Sequence, residues 1–237
     1  MQRSNEGLKV GVLRMVEGYG RPDRRGSRLG IVFSQKELKD LAIAVGVLTI
    51  CFSIAFTSQG ILSQDLKLMR FLTVLPISFL AVITAFALHE IAHKVTANHF
   101  GYVAAFSYSR QGLILAAVVS ILFGFLWAAP GAVFIYGHPS KRENGIISIA
   151  GPATNLVIGI AFTSFFFAFA VIGVVFEASF AIASAFGLVA SVNVFIGLFN
   201  MLPLMPFDGA KIWKWNKVIY VVMLVLFIPM FLFFIIL

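Results

Sequence analysis

The sequence predicts an all-α polytopic membrane protein with about five transmembrane helices and one re-entrant segment that carries a short β-strand. Composition is the first observation behind this prediction. Of 237 residues, 60% are hydrophobic and only 12% are charged, against about 25% charged in a soluble domain. The second is length: several apolar stretches reach the roughly 20 residues that a helix needs to cross about 30 Å of hydrocarbon. The third is an interruption. The segment from Gly112 to Gly137 is apolar enough to span, but Gly124 and Ala129-Pro130-Gly131 break it. A soluble globular fold is excluded, and so is a cysteine framework, because Cys51 is the single cysteine and lies inside an apolar run.

The chain opens with a basic segment. Nine of its 18 Lys and Arg fall within residues 1–40, directly before the first apolar run, where they meet anionic lipid headgroups. The net charge of +8 therefore reads as topology and membrane surface charge, and nucleic acid is not an expected partner. The first apolar run begins near Leu41, too late for a secretory signal, and Arg24-Arg25 lacks the rest of a twin-arginine signal. Residues 1–40 are thus expected to stay attached and cytoplasmic, and 41–237 to form the membrane-embedded domain. Weak alternation of Leu8, Val10 and Val12, then Leu29, Ile31 and Phe33, about the turn-rich Gly18 to Asp23 predicts a small surface hairpin.

The elements follow in order. Ser34 and Glu37 have the spacing of a capping box, which opens a first span running to about Thr57. Phe71 to about Asn98 is the second, and it carries two His and a Glu inside its apolar pattern. Ile146 to Phe176 is the third, long enough to be tilted or broken near Gly151-Pro152. Phe180 to about Leu202 is the fourth, and Val218 to Leu237 the fifth. No internal repeat or low-complexity tract is present.

Charge arbitrates the segment 112–137, since cytoplasmic loops carry an excess of Lys and Arg. If it spans, 11 basic residues lie inside and 7 outside; if it dips and returns, 16 lie inside and only Lys67 and Arg70 outside. The second count selects the re-entrant reading. Non-helical backbone at that depth must be shielded by protein or line a wet cavity, because lipid satisfies no free N–H or C=O.

Residues His89-Glu90-Ile91-Ala92-His93 place two imidazoles one helical turn apart on one face, where both can ligate a single Zn²⁺, with Glu90 set to act on water beside it. A chain of this composition would contain the pattern by chance about 0.002 times. A hydrolytic zinc site wants a third protein ligand. Asp65 and Glu177 fall at the opposite membrane face, and His99, six residues after His93, points away from the metal face. His138 and Glu143 sit in a charged loop. Asp208 remains, in Asn200-Met-Leu-Pro203-Leu-Met-Pro206-Phe-Asp208-Gly209, where two prolines prevent regular helix and Gly209 permits a sharp turn, so that the carboxylate can point inward. The assignment depends on topology. In a six-span chain the His pair and Asp208 would stand roughly 30 Å apart.

Three motifs now stand in order: HEIAH at 89–93, Gly151-Pro152-Ala153-Thr154-Asn155, and NMLPLMPFDG at 200–209. Together they resemble the site-2 protease family of intramembrane zinc metalloproteases (peptidase family M50), and specifically its compact archaeal and bacterial members without a PDZ domain. The likeness covers a catalytic core of about residues 70–215. It implies one catalytic Zn²⁺ held by His89, His93 and Asp208, with Glu90 as general base and acid and Asn200 as a polar group near the reacting carbonyl. Ala129 to Val133 is similar to the family's strand beside the zinc, and the backbone edge at Ala132 to Ile135 offers a place for an extended substrate, with Ala132, Val133 and Phe134 as the substrate-binding candidates. Asn155 is a candidate for substrate binding, with interhelical hydrogen bonding that helps packing as the preferred reading.

The function expected is an intramembrane zinc endopeptidase acting on membrane-spanning proteins or signal-peptide remnants, in the cell membrane, with its active-site opening cytoplasmic. The alternative is a metal or solute transporter that uses the same His and Asp, which the lack of a paired repeat disfavours. The topology is directly testable. Cysteines placed at 110, 141 and 214 in a Cys51→Ala background should all react with an impermeant thiol reagent from the cytoplasmic side, whereas labelling of position 141 from outside would restore a sixth span.

Overall fold

The computed structural model describes residues 33–57, 68–123, 130–173 and 178–236; the hairpin expected within 1–33 lies, Phe33 apart, outside them. Among the described residues, five helices are long and apolar enough to cross a membrane: Gln35–Thr57 (α1), Leu68–His99, Lys141–Gly173 (α5), Ser179–Asn200 within Ala178–Asn200 (α6), and Lys217–Ile236 (α8). Their outer faces are apolar and exposed, as at Val157, Phe165, Val171, Val225 and Ile236. Water would oppose such belts, and hydrocarbon accepts them. The five spans are those expected, with ends displaced by a few residues.

The span Leu68–His99 is not uniform. Leu68–Val82 (α2) and Leu88–His99 (α3) are joined by a π-helical turn at Ile83–Ala87, where the Leu88 N–H donates to the Ile83 carbonyl five residues back. Neighbouring helices hold this turn through polar side chains: Asn155 Nδ2 donates to the Ala85 carbonyl at 2.8 Å, and Asn193 Nδ2 donates to Thr84 Oγ1 at 3.0 Å. Inside an apolar bundle such bonds are available only from other protein groups.

Between α3 and α5 the chain forms a strand, Val103–Tyr108 (β1), a helix, Arg110–Phe123 (α4), and a second strand, Gly131–Tyr136 (β2). The strands pair antiparallel with Val103 opposite Tyr136 and Tyr108 opposite Gly131. Ser109 N–H donates to the Pro130 carbonyl at 2.8 Å, so the segment leaves and returns at one point. At 14 residues, α4 is about 21 Å long, short of the roughly 30 Å a span requires. This is the re-entrant segment. The expected strand is β2; its partner β1 was not foreseen.

Two further differences concern helix ends. At α1 only half of the expected capping box forms: Glu37 N–H donates to Ser34 Oγ at 3.1 Å, while the Glu37 carboxylate turns to Lys94 and the Phe106 N–H. The complete reciprocal box is at the start of α5, where Ser140 N–H donates to Glu143 Oε2 at 2.7 Å and Glu143 N–H to Ser140 Oγ at 3.3 Å. The third span runs unbroken through Pro152, for all 33 residues of α5. Lys94, one of the 16 basic residues placed on the inside, is 1% exposed and paired with Glu37.

Among the described residues, two larger cores and a smaller one around Ala97, Ala104 and Ile147 hold the bundle. One of the larger two gathers α1, α2, the π turn, β1, α4 and α6 around Leu48, Phe52, Ala81, Phe86, Phe106 and Val192. The other gathers α5 to α8 around Leu156, Val194, Met201, Ile212 and Phe227, with Asp208–Trp215 forming α7. Phe227 is fully buried. Its replacement by Ala leaves a cavity that costs about 3–5 kcal/mol, so Phe227→Ala should unfold at a clearly lower temperature than the parent in the same detergent.

Candidate metal centre

Helix α3 presents His89 and His93 with ring centroids 4.6 Å apart and planes at 86°. The third group arrives from the other end of the chain. Helix α6 stops at Asn200, residues 201–207 are irregular, and α7 begins at Asp208 with Phe207 extended before it. This is the departure from helix that Pro203 and Pro206 were expected to enforce. Gly209 acts otherwise than expected. Its φ is not positive; a Cβ there would stand 2.2 Å from the Met201 carbonyl oxygen, so the glycine serves close approach of α7 to the end of α6.

Asp208 Oδ2 lies 3.3 Å from His89 Nε2 and 3.0 Å from His93 Nε2. One ligand atom from each of the three residues falls within 4.8 Å of the others, and all three residues are buried. These contacts agree with a returning segment 112–137 and are incompatible with placing the pair and Asp208 at opposite membrane faces.

The far nitrogens decide what the near ones can do. His93 Nδ1 is 2.7 Å from the Ile147 carbonyl oxygen, which only accepts, so Nδ1 carries the proton. His89 Nδ1 faces Asn155 Oδ1 at 2.5 Å. The Asn155 amide is oriented by its NH₂, which donates to the Ala85 carbonyl and to Asn193 Oδ1, so its oxygen likewise receives a proton from the ring. In the neutral rings both Nε2 atoms are then electron-pair donors aimed at a carboxylate, an arrangement that calls for a cation between them. Two imidazoles and one carboxylate form a donor set suited to zinc.

Helix α5 makes the approach possible. A Cβ at Gly151 would stand about 2.5 Å from the His89 ring, so only glycine lets α5 come near enough for Asn155 and the Ile147 carbonyl to reach both rings.

Glu90, Asn200, Ala132 and Val133 line one cavity with His89, His93 and Asp208. Glu90 is 9% exposed, and the Val133 backbone lies against its carboxylate. The Asn200 amide donates to the Ile196 carbonyl one turn back. Phe134 falls elsewhere than expected, and Asn155 follows the interhelical reading rather than the substrate-binding one. Phe134 is 55% exposed and off the cavity, because alternate strand residues face opposite sides; Ile135 takes its place. Asn155 is fully buried behind His89 with both ends of its amide engaged. As expected, His99 and His138 are exposed and away from the centre.

Some residues of the site were not foreseen. Lys211 Nζ donates to Asp208 Oδ1 at 3.3 Å; its spacing of three residues from Asp208 in a helix was the available signal. Asn193, an amide inside an apolar span, was another. Nothing local pointed to the Ile147 carbonyl.

Helices that expose apolar belts, enclosing two His, a Glu and a distant Asp around one cavity, define a membrane-associated metalloprotease. The chain is 35% identical over 193 residues to "Putative zinc metalloprotease MJ0611" of Methanocaldococcus jannaschii, covering 80% of this chain and 90% of that protein. It is 31% identical over 153 residues to the similarly named YwhC of Bacillus subtilis, covering 60% and 69%. With Rip3 of Mycobacterium tuberculosis it shares 32% identity over 124 residues, only 26% of that longer protein. No family profile and no solved structure matches. The chain belongs to the site-2 protease family of zinc metalloproteases, peptidase family M50, and its cofactor is zinc.

Asn155 gives this arrangement its test. Asn155→Ala releases His89 from its tautomer and should weaken zinc binding by about 10–100-fold, read by competition with a chelating dye, with the helical circular dichroism unchanged.

Proposed function

We propose that this chain is an intramembrane zinc endopeptidase that hydrolyses peptide bonds within or beside membrane-spanning segments, such as those of single-span proteins or signal-peptide remnants. The observation that carries the reading is the convergence of His89, His93 and Asp208 at 3.0–3.3 Å inside a bundle whose outer faces are apolar. His89, His93 and Asp208 hold the ion. Zinc, when bound, polarises the scissile carbonyl and lowers the pKa of water.

Glu90 takes the proton of the attacking water and returns it to the leaving amine as the carbon–nitrogen bond breaks. Its near-complete burial keeps bulk water from competing for that proton. Asn200, on the same cavity, offers its amide to the developing oxyanion. Asn155 and the Ile147 carbonyl position the rings. A helical substrate has its carbonyls hydrogen-bonded internally, so it must unwind before it can react, and the outer edge of β2 at Ala132 and Val133 receives the extended stretch by strand addition.

The charge distribution supports a cytoplasmic N-terminus and active-site opening, even without Lys94, which is neutralised inside the protein. The transporter alternative has no supporting observation: Glu90 beside the donor set has a role in hydrolysis and none in simple ion passage.

The test separates ligand from base. Glu90→Gln should keep stoichiometric zinc while cleavage of a single-span substrate falls by about 10²–10⁴. Asp208→Ala should lose both zinc and cleavage yet remain folded, and His99→Ala, His138→Ala and Glu143→Ala should retain zinc. Normal turnover by Glu90→Gln would overturn the mechanism.

A further inference from the structure

The Glu37–Lys94 pair is buried outside the catalytic cavity, with the two residues 2% and 1% exposed. Such a pair is weak support for stability, since apolar residues of similar volume often serve as well. Glu37 does more than pair. One carboxylate oxygen, Oε2, accepts from Lys94 Nζ, and the other, Oε1, accepts the Phe106 N–H at 3.0 Å. Lys94 follows His93 in α3. Phe106 stands in register with Val133, and its ring meets Phe86 of the π turn edge-on at 5.7 Å.

The strand geometry makes this pairing informative. In an antiparallel ladder, residues opposite one another either exchange hydrogen bonds or point both N–H groups outward. The Phe106 N–H points outward, to Glu37. Its partner Val133 therefore points its own N–H outward from the other edge, where it lies against Glu90. One cross-strand pair is thus bracketed by two carboxylates, Glu37 on the closed edge and Glu90 on the edge that faces the cavity. Ser107 Oγ, donating to Asp40 Oδ2 at 3.3 Å, adds to the closure of β1.

We propose that Glu37 is a positioning residue: by tying Lys94 of α3 to Phe106 of β1 it fixes the height of the sheet along the catalytic helix, and so selects which peptide bond of a substrate extended along β2 stands opposite Glu90. A slip of one residue would move the chain by about 3.4 Å and present a different bond. The inference rests on the reading of β2 as the strand that receives substrate.

The experiment compares two double variants of the full chain, loaded with zinc in lipid vesicles. Glu37→Met with Lys94→Met removes the tie without stranding a buried charge. Glu37→Gln with Lys94→Met restores an oxygen that accepts the Phe106 N–H. The Met/Met variant should keep wild-type zinc content, raise KM roughly tenfold with a smaller change in kcat, and yield fragments cut at neighbouring bonds by mass spectrometry. The Gln/Met variant should return a single cleavage position and the lower KM. Amide exchange of residues 103–108, which needs no turnover, should be about tenfold faster in Met/Met than in Gln/Met. Identical cleavage positions and KM in the two variants overturn the proposal, as does equal exchange. Loss of zinc from both also overturns it, by assigning the pair to the fold. Failure of the zinc-loaded wild type to cut any single-span substrate instead sinks the protease reading, and the exchange comparison still decides whether Glu37 holds β1.

Discussion

Everything at the centre depends on where two protons sit. If the Nδ1 atoms of His89 and His93 did not keep their protons, each donated in a hydrogen bond to an acceptor on α5, the Nε2 atoms would have no fixed identity as donors to a metal. The Ile147 carbonyl and the Asn155 amide oxygen supply those acceptors, and both lie on one helix, α5. Helix α5 is therefore a template for the ligands on α3. Its Gly151 sets the distance, its Asn155 sets one ring, and its backbone sets the other.

Asn155 is in turn fixed by the π turn. A regular helix through Ile83–Ala87 would use the Ala85 carbonyl in its own ladder; the wider turn shifts that ladder by one residue just before His89. Asn155 and Asn193 take up the polar groups of this turn. The irregularity, the two asparagines and the tautomer of His89 form one chain of dependence within an apolar bundle, where an unmatched amide is costly.

What was legible in the sequence was local. The His89–His93 spacing is complete within one turn, so the helix period alone brings the rings together, and Pro203 with Pro206 announces the break that frees Asp208. What was hidden depended on distant competition. The pattern Ser-x-x-Glu occurs at both 34–37 and 140–143. The second closes because Glu143 has its cap within reach, whereas Glu37 is drawn to Lys94 and Phe106, 57 and 69 residues away. For the same reason Lys94, counted with the inside basic residues, is taken up in a buried pair. Strand β1 was hidden because its partner lies beyond an intervening helix, and six residues with two small alanines carry little alternation of their own. Phe134 was misplaced by one step of the pleat, the smallest error a strand allows and enough to turn a side chain to the other face.

The contrast between α4 and α5 bears on the surrounding lipid. With 14 and 33 residues, they measure about 21 Å and 50 Å along their axes, below and above the thickness of an ordinary hydrocarbon layer. Lipids beside α5 can stay extended, while those beside the exposed Ile114, Leu115 and Val118 of α4 meet a short apolar wall and must tilt or shorten to cover it. A mismatch of this kind favours a bilayer that thins beside α4, which would draw polar headgroups and their hydration nearer the midplane there.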